Sequence, residues 1–446
     1  MERTTAKKNK YEIDMCNGTI MDKLISFSLP LMLSGILQLM FNAVDIIVVG
    51  RFSGSQALAA VGSTSALINV FTNLFIGISL GANVLTARFY AAGREKEVSE
   101  TVHTAITLAL VSGIVMALVG LVFSKGALAL MGTPDDVIGL SALYMRIYFL
   151  GMPFFMLYNY GAAILRAVGD TKRPLLFLMI AGVINACLNM VLVIVFKLGV
   201  AGVAIATVIS QMISCVLVLR CLCRSESSYR LRFSELGMKG YYLKQIFSVG
   251  VPAGIQSTVI NFSNVLLQSS VNSFGSTAMA GYTAANNLLG FLYVSVNSIT
   301  QACMSFTSQN YGVGKLKRMD RVLADCMILS VVVAVVLGCI CYGFGPEILQ
   351  IYTEDAEVIA CGMEILAYTT ITYFLCGWMD LFPGALRGMG YSAVPMVLSV
   401  IGTVGTRVVW IFGIFPYHRS LAILFISYPA SWIITIILQV VCFYFV

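Results

Sequence analysis

Four polar residues interrupt the first apolar run of the chain. Ser34, Gln38, Asn42 and Asp45 follow one another at spacings of 4, 4 and 3. On a helix they share one face, and Asp45 returns to within roughly 20° of Ser34. A carboxylate in lipid is expensive and usually has a job. Its titration range is set by its surroundings, so Asp45 is read as a group that holds a proton in one state and releases it in another. The competing reading is a fixed ion pair with an arginine such as Arg146 or Arg407.

Further polar positions recur on other apolar runs. Ser257, Asn261, Asn264 and Gln268 repeat the stripe, without an acid, at spacings of 4, 3 and 4. Asn286, Tyr293, Asn297 and Gln301 follow on the next run, and Asn185 and Asn189 stand one turn apart in "IAGVINACLNMVLVIV". Such amides either glue helices together or line a cavity, and two equivalent stripes favour a cavity. Tyr144, Tyr148, Met152, Phe155, Met156, Tyr293 and Met304 accompany them, a lining suited to flat, apolar, cationic ligands through cation–π attraction. Glu364 and Asp380 are secondary acidic candidates. They are sixteen residues apart and roughly 160° around the helix, so they are not read as a carboxylate pair.

The elements that carry these residues follow from composition. Of 446 residues 59% are hydrophobic and 11% charged, against about a quarter charged in soluble globular domains. Apolar runs are long enough to cross a core about 30 Å thick as helices, and the alternating segments of a β-barrel are absent. The fold class is an all-α polytopic membrane protein. Twelve spans are expected, near 24–50, 57–84, 101–124, 138–162, 174–196, 200–222, 244–272, 278–306, 321–343, 358–382, 394–415 and 419–446. The first 23 residues are polar and basic, and the first apolar run is too long for a signal h-region, so no cleavable leader is expected.

Lysine and arginine set the orientation. With the N-terminus inside, all fall in cytoplasmic segments except Arg51, Lys125, Lys197 and Arg419 outside and Arg146 and Arg407 within spans. Asp135, Asp136, Glu354, Asp355 and Glu357 cluster in outside loops. Both termini are therefore cytoplasmic, in the plasma (inner) membrane. The formal charge of +7 is explained by basic loops beside anionic lipid and needs no nucleic-acid partner. The 12 cysteines lie mostly in spans without metal-ligand spacing, so free thiols and no metal are expected. His103 and His418 fall near opposite membrane faces and are read as surface residues. No Walker motif exists, so ATP is not the direct energy source, and no enzyme-like cluster of His, Cys and acids is visible at one membrane depth.

The chain repeats at an offset near 221. "ILRAVGDTKRP" (164–174) aligns with "ALRGMGYSAVP" (385–395), "FYAAGR" (89–94) with "NYGVGK" (310–315), and "GSQALAA" (54–60) with "GSTAMAG" (275–281). Six spans per repeat let both halves enter the membrane the same way. That implies a pseudo-two-fold axis along the membrane normal and a central cleft. The expected domains are an N-terminal segment 1–23, an N-lobe 24–222, a cytoplasmic linker 223–243 and a C-lobe 244–446.

At this point the residues resemble the MATE (multidrug and toxin extrusion) antiporters, nearest the DinF-like branch. The likeness runs from about residue 20 to the end. It is most specific in "SLPLMLSGILQLMFNAVDIIVVGRFSGSQALAAVG" (28–62) and in the repeated "LRAVGDTKRP" and "LRGMGYSAVP" loops. The resemblance implies export of organic cations and related amphipathic drugs or metabolites, exchanged for H⁺ or Na⁺ without a cofactor. By position Asp45 looks like the branch's coupling aspartate, and Asn185 and Asn189 look like its span-five pair. Gln38, Tyr144, Asn159 and Thr207 fall where N-lobe pocket residues are found; Asn42, Asn261, Gln268 and Tyr293 complete the expected substrate set. Pro30 matches a proline about which the first helix is proposed to bend.

Two departures bear on the coupling ion. The second span-five position is often Asp in relatives and is Asn189 here, which suits a proton better than a Na⁺ cage. The NorM-like branch uses a span-seven glutamate that this chain lacks, and Asp380 lies about one turn from that branch's span-ten aspartate. H⁺ coupling through Asp45 is expected. The alternatives are Na⁺ coupling, a lipid-linked oligosaccharide flippase with cationic cleft residues, and an integral membrane enzyme. The expected partners are a small amphipathic or cationic molecule and the bilayer, with the protein a monomer.

Overall fold

The computed structural model describes residues 11–445, leaving aside the side chains of Ser55 and Ala66. Residues 1–10 of the expected N-terminal segment, and Val446 at the end of the last span, lie outside the described residues.

Every regular element among the described residues is helical. Three long rods come first: α1 (Met21–Phe52), α2 (Ser55–Ala91) and α3 (Glu95–Leu130). A fourth crossing is made by α4 (Asp135–Leu150) with α5 (Met152–Ala167), and a fifth by α6 (Lys172–Asn189), which runs on into a π-helical turn at Met190–Val195. Then come α7 (Gly199–Cys223), α8 (Gly240–Asn272), α9 (Ser276–Gly312) and α10 (Leu316–Gly343). A short α11 (Gly345–Leu349) precedes the tenth crossing, α12 (Ala356–Thr369) with α13 (Tyr373–Gly388). The eleventh joins α14 (Ala393–Ser399) and α15 (Thr406–Val409) to π-helical turns at Val400–Gly405 and Trp410–Ile414, and α16 (Leu421–Phe445) is the twelfth. Ten crossings are long and apolar enough to span a bilayer, two of them as bent pairs. The other two, α8 and α9, carry the Asn261 and Tyr293 stripes that lower their hydropathy.

The chain is an all-α membrane protein of twelve spans in two lobes, and the duplication is written into the backbone. Gly54 and Gly275, Gly93 and Gly314, and Gly169 and Gly390 are pairs separated by the repeat offset, and all six have positive φ, between 71° and 98°. At Gly169 a Cβ would also approach the Ile13 carbonyl oxygen to 2.6 Å, so the leading segment passes where only glycine leaves room.

Spans four and ten, expected as continuous helices, are bent by 47° and 51°. The causes differ. In span four Gly151 is followed two residues later by Pro153, which lacks an N–H and opens the first turn of α5. In span ten Thr369, Thr370 and Thr372 each donate a hydroxyl proton to the carbonyl four residues back, at 2.7, 2.6 and 2.8 Å, a pattern that bends helices. The helical-wheel angle drawn between Glu364 and Asp380 therefore does not apply, because the break separates them.

The molecule divides into two compact units. One comprises Leu33–Val251 with the segment ending at Asp14, the other Met15–Met32 with Pro252–Val446. The first unit packs around Phe149, Met152, Tyr160 and Leu165. The second packs around Leu267, Tyr282, Phe425 and Trp432. Both leave large apolar side chains outward, among them Val122, Phe123 and Ile437, as a lipid-solvated surface requires. The unit boundary falls inside α1, two residues after Pro30, and inside α8 at Pro252. Within the first unit a Cβ at Gly81 of α2 would come within 2.2 Å of the Ile246 carbonyl oxygen, and one at Gly250 within 2.4 Å of Ile78 Cα. Small residues bring the two backbones together there.

The polar connection after α7 is docked on α3. His103 is only 3% exposed, so the reading of it as a surface residue is overturned. Its Nδ1–H donates to the Ser99 carbonyl at 2.7 Å, and its Nε2 accepts the Arg232 backbone N–H at 3.0 Å. The Lys239 N–H donates to Thr104 Oγ1 at 3.3 Å and its ammonium to Glu100. A hydrogen bond from Arg232 holds the Glu235 carboxyl below the usual carboxylate range. All twelve cysteines are free thiols.

Candidate functional site: a lone carboxylate among amides

Asp45 lies seven residues from the end of α1 and is half-buried. Asn189 Nδ2 donates to its Oδ1 and, at 3.1 Å, to Asn185 Oδ1. Thr207 Oγ1 stands 3.5 Å from Asp45 Oδ2 and 2.9 Å from the Val203 carbonyl. One hydroxyl proton cannot serve both acceptors at once, so Thr207 chooses between the carboxylate and its own helix. Asn185 Nδ2 points at Thr207 Oγ1 across 3.5 Å, which closes the ring. Three helices thus meet on one carboxylate: α1 brings the acid, α6 the two amides and α7 the hydroxyl.

The local fold explains the meeting. Asn185 and Asn189 are one turn apart on the buried face of α6, and the π-helical turn begins at the next residue. Such turns frequently mark functional sites because they re-aim the side chains around them. Gly182, one turn before Asn185, leaves the place that the Phe41 ring of α1 occupies; a Cβ there would overlap the ring at 1.8 Å. That notch lets α1 approach α6 closely enough for Asp45 to reach Asn189.

Neither arginine neutralises the acid. Arg146 is exposed, and Arg407 belongs to the other unit, where it bonds Ser263 and Asn264. No ion pair involves Asp45 among the described residues. The buried Asn189 Oδ1 has no hydrogen-bond partner, so the ring combines one carboxyl group with one open acceptor.

The remaining expected residues separate into groups. Tyr144 is buried and stacked on Tyr148, ring centroids 6.1 Å apart. The register of α4 is fixed next to them by Gly120, whose missing side chain makes room for Phe149. Gln38 and Asn42 are exposed on α1. Asn159 is half-buried and donates to the Phe155 carbonyl of its own helix at 2.8 Å. Thr207, expected in the substrate set, is the residue whose hydroxyl stands between the Asp45 carboxylate and the Val203 carbonyl. In the second unit Asn261 and Gln268 are exposed, Tyr293 is 46% exposed, and Gln301 donates to Asn297 at 3.1 Å. Glu364 and Asp380 are half-buried on separate helices of the bent span ten. Pro30 is buried at the point where α1 passes between units.

Two like halves of six spans, with a titratable group held inside the membrane by neutral amides, define a duplicated helical transporter, not an enzyme. The MatE family model matches residues 30–191 and again 252–412, once in each half, and the chain belongs to that family. It is similar to the "Probable multidrug resistance protein YoeA" of Bacillus subtilis (strain 168), at 32% identity over 92% of this chain and 91% of the relative. It is also similar to the "Multidrug export protein MepA" of Staphylococcus aureus (strain NCTC 8325 / PS 47), at 22% identity over 85% and 84%. A solved structure of an outward-facing multidrug resistance MATE family transporter of the MOP superfamily shares the fold, with TM-score 0.89 and 19% identity over 98% of each chain.

Proposed function

We propose that this protein exports amphipathic organic cations, in exchange for H⁺, by alternating access of its two lobes. The observation that carries the reading is Asp45, whose two carboxylate oxygens face, among the described residues, only the neutral donors Asn189 and Thr207. A carboxylate so placed is neutralised by a proton or by a cation, and the two compete. With one negative charge in the ring, a proton is the better fit than Na⁺, which favours several hard oxygen ligands with more charge.

The cycle then follows. Ionised Asp45 favours the arrangement that takes substrate from the inside. Protonation from outside removes the charge, lets Asn189 and Thr207 exchange their bonds to the carboxylate, and favours the arrangement that releases substrate outward. Drug and proton must prefer opposite arrangements, since equal affinity for both shifts nothing. Pro30, at the unit boundary of α1, is the hinge about which that helix would repack. Gln38, Asn42, Tyr144, Asn159, Thr207, Asn261, Gln268 and Tyr293 form the proposed contact set for substrate. The site of action is the plasma membrane, with both termini in the cytoplasm. The names of the bacterial relatives agree with drug export.

The test uses purified protein in liposomes, wild type beside Asp45→Asn, following a fluorescent organic cation under a pH gradient or a Na⁺ gradient alone. Transport driven by the pH gradient and lost in the variant is the expected result. Transport driven by Na⁺ alone, or undiminished in Asp45→Asn, sinks the mechanism.

A further inference from the structure

The lobe that lacks an acid at this level carries a buried arginine instead. The repeat relates Pro30 to Pro252 at an offset of 222, which sets Asp45 opposite Leu267 and Asn42 opposite Asn264. Leu267 is fully buried. The loops after spans four and ten align at 221, but the π-helical turn at Val400–Gly405 adds a residue to the register. Beyond it Arg407 falls opposite Asn185. The C-lobe counterpart of the carboxylate ring is thus built on a guanidinium.

Arg407 is 3% exposed. Its Nη1 donates to Ser263 Oγ at 2.8 Å and to Asn264 Oδ1 at 2.6 Å. Its Cζ lies 4.8 Å from the centre of the Tyr428 ring, whose hydroxyl is bonded to that of Tyr282 at 2.9 Å. Its Nε–H is buried and reaches no acceptor, and no carboxylate lies within ion-pair distance of it among the described residues. The short α15 that presents it is clamped between two π-helical turns. Packing alone would be served at lower cost by an apolar residue, because a buried charge without a counter-ion is strongly unfavourable. The planar fork of arginine matches a carboxylate held by two parallel N–H bonds. Asn264, which accepts from the guanidinium, is half-buried and lies one turn from the exposed Asn261 on α8.

We infer that Arg407 is a recognition group for a carboxylate on the transported molecule. The inference deepens the export reading and rests on it. A bound carboxylate takes the bare Nε–H and supplies the missing counter-charge, while the Tyr428 face supports the guanidinium from one side.

The test compares a rhodamine carboxylic acid with its methyl ester, in liposomes containing wild type, Arg407→Gln or Arg407→Lys. Wild type should favour the acid. Arg407→Gln should lower transport of the acid about tenfold, the loss of a charge-assisted hydrogen bond, with the ester little changed. Arg407→Lys, which keeps the charge without the fork, should fall between. Equal handling of acid and ester by wild type, or an equal loss of both in Arg407→Gln, would overturn the inference. Should the variants fail to fold, thermal stabilisation of the wild type decides: the acid must stabilise it more than the ester does, and equal shifts refute the site. If wild type moves neither dye under any gradient, the export reading fails, and the thermal shift still judges Arg407 on its own.

Discussion

Asn189 presents its amide hydrogens to two oxygens and leaves its own carbonyl bare. That asymmetry is the most direct handle on ion choice. Asn189→Asp replaces the donor with a second carboxylate beside Asp45, and two carboxylates in contact repel unless a cation or proton sits between them. The expected outcome is a gain of Na⁺-driven dye flux in liposomes, absent in wild type. Failure of Na⁺ to drive or stimulate the variant would argue against this ring as the ion site. The residue types were readable in advance, since Asp45, Asn185 and Asn189 stand out from apolar neighbours. The placement of Thr207 was not. A threonine in "GVAIATVIS" carries no signal that its hydroxyl faces a carboxylate 162 residues earlier in the chain.

At the scale of elements, the bends in spans four and ten recur in both halves with different chemistry, a proline in one and back-bonding threonines in the other. Each bend rests against a glycine of the preceding span. A Cβ at Gly113 would lie 2.5 Å from Pro153 Cα, and one at Gly338 would lie 2.7 Å from the Thr370 carbonyl oxygen. Backbone cannot yield as a side chain does, so Gly113→Val and Gly338→Val should each destabilise the protein by about 1–3 kcal/mol. Thermal unfolding in detergent checks this, and an unchanged midpoint would show that the bends are not held by these contacts. Hydropathy reports span four as one apolar run because it counts side chains and is blind to direction. The signals that break it, Gly151 with Pro153 and the run Thr369, Thr370 and Thr372, are single residues inside runs that otherwise satisfy a straight helix.

At the scale of the whole molecule, twelve spans place both ends of the chain on one side of the membrane. A reporter that fluoresces only in the cytoplasm should therefore light up when fused at either end. A dark fusion at one end alone would require an odd number of crossings. The unit boundary falls two residues after Pro30 in α1 and at Pro252 in α8, and not in the linker. A composition shift marks the linker well, but the point at which a continuous helix changes partner leaves only a proline behind. The sequence by itself determined the membrane class, the span count, the duplication and the lone acid, because hydropathy, repeat and residue type are local properties. Only the tertiary structure decided that Asp45 meets Asn189 and Thr207, and that Arg407 meets Ser263, Asn264 and Tyr428. A stripe on a helix states which residues share a face, and packing alone states which faces meet.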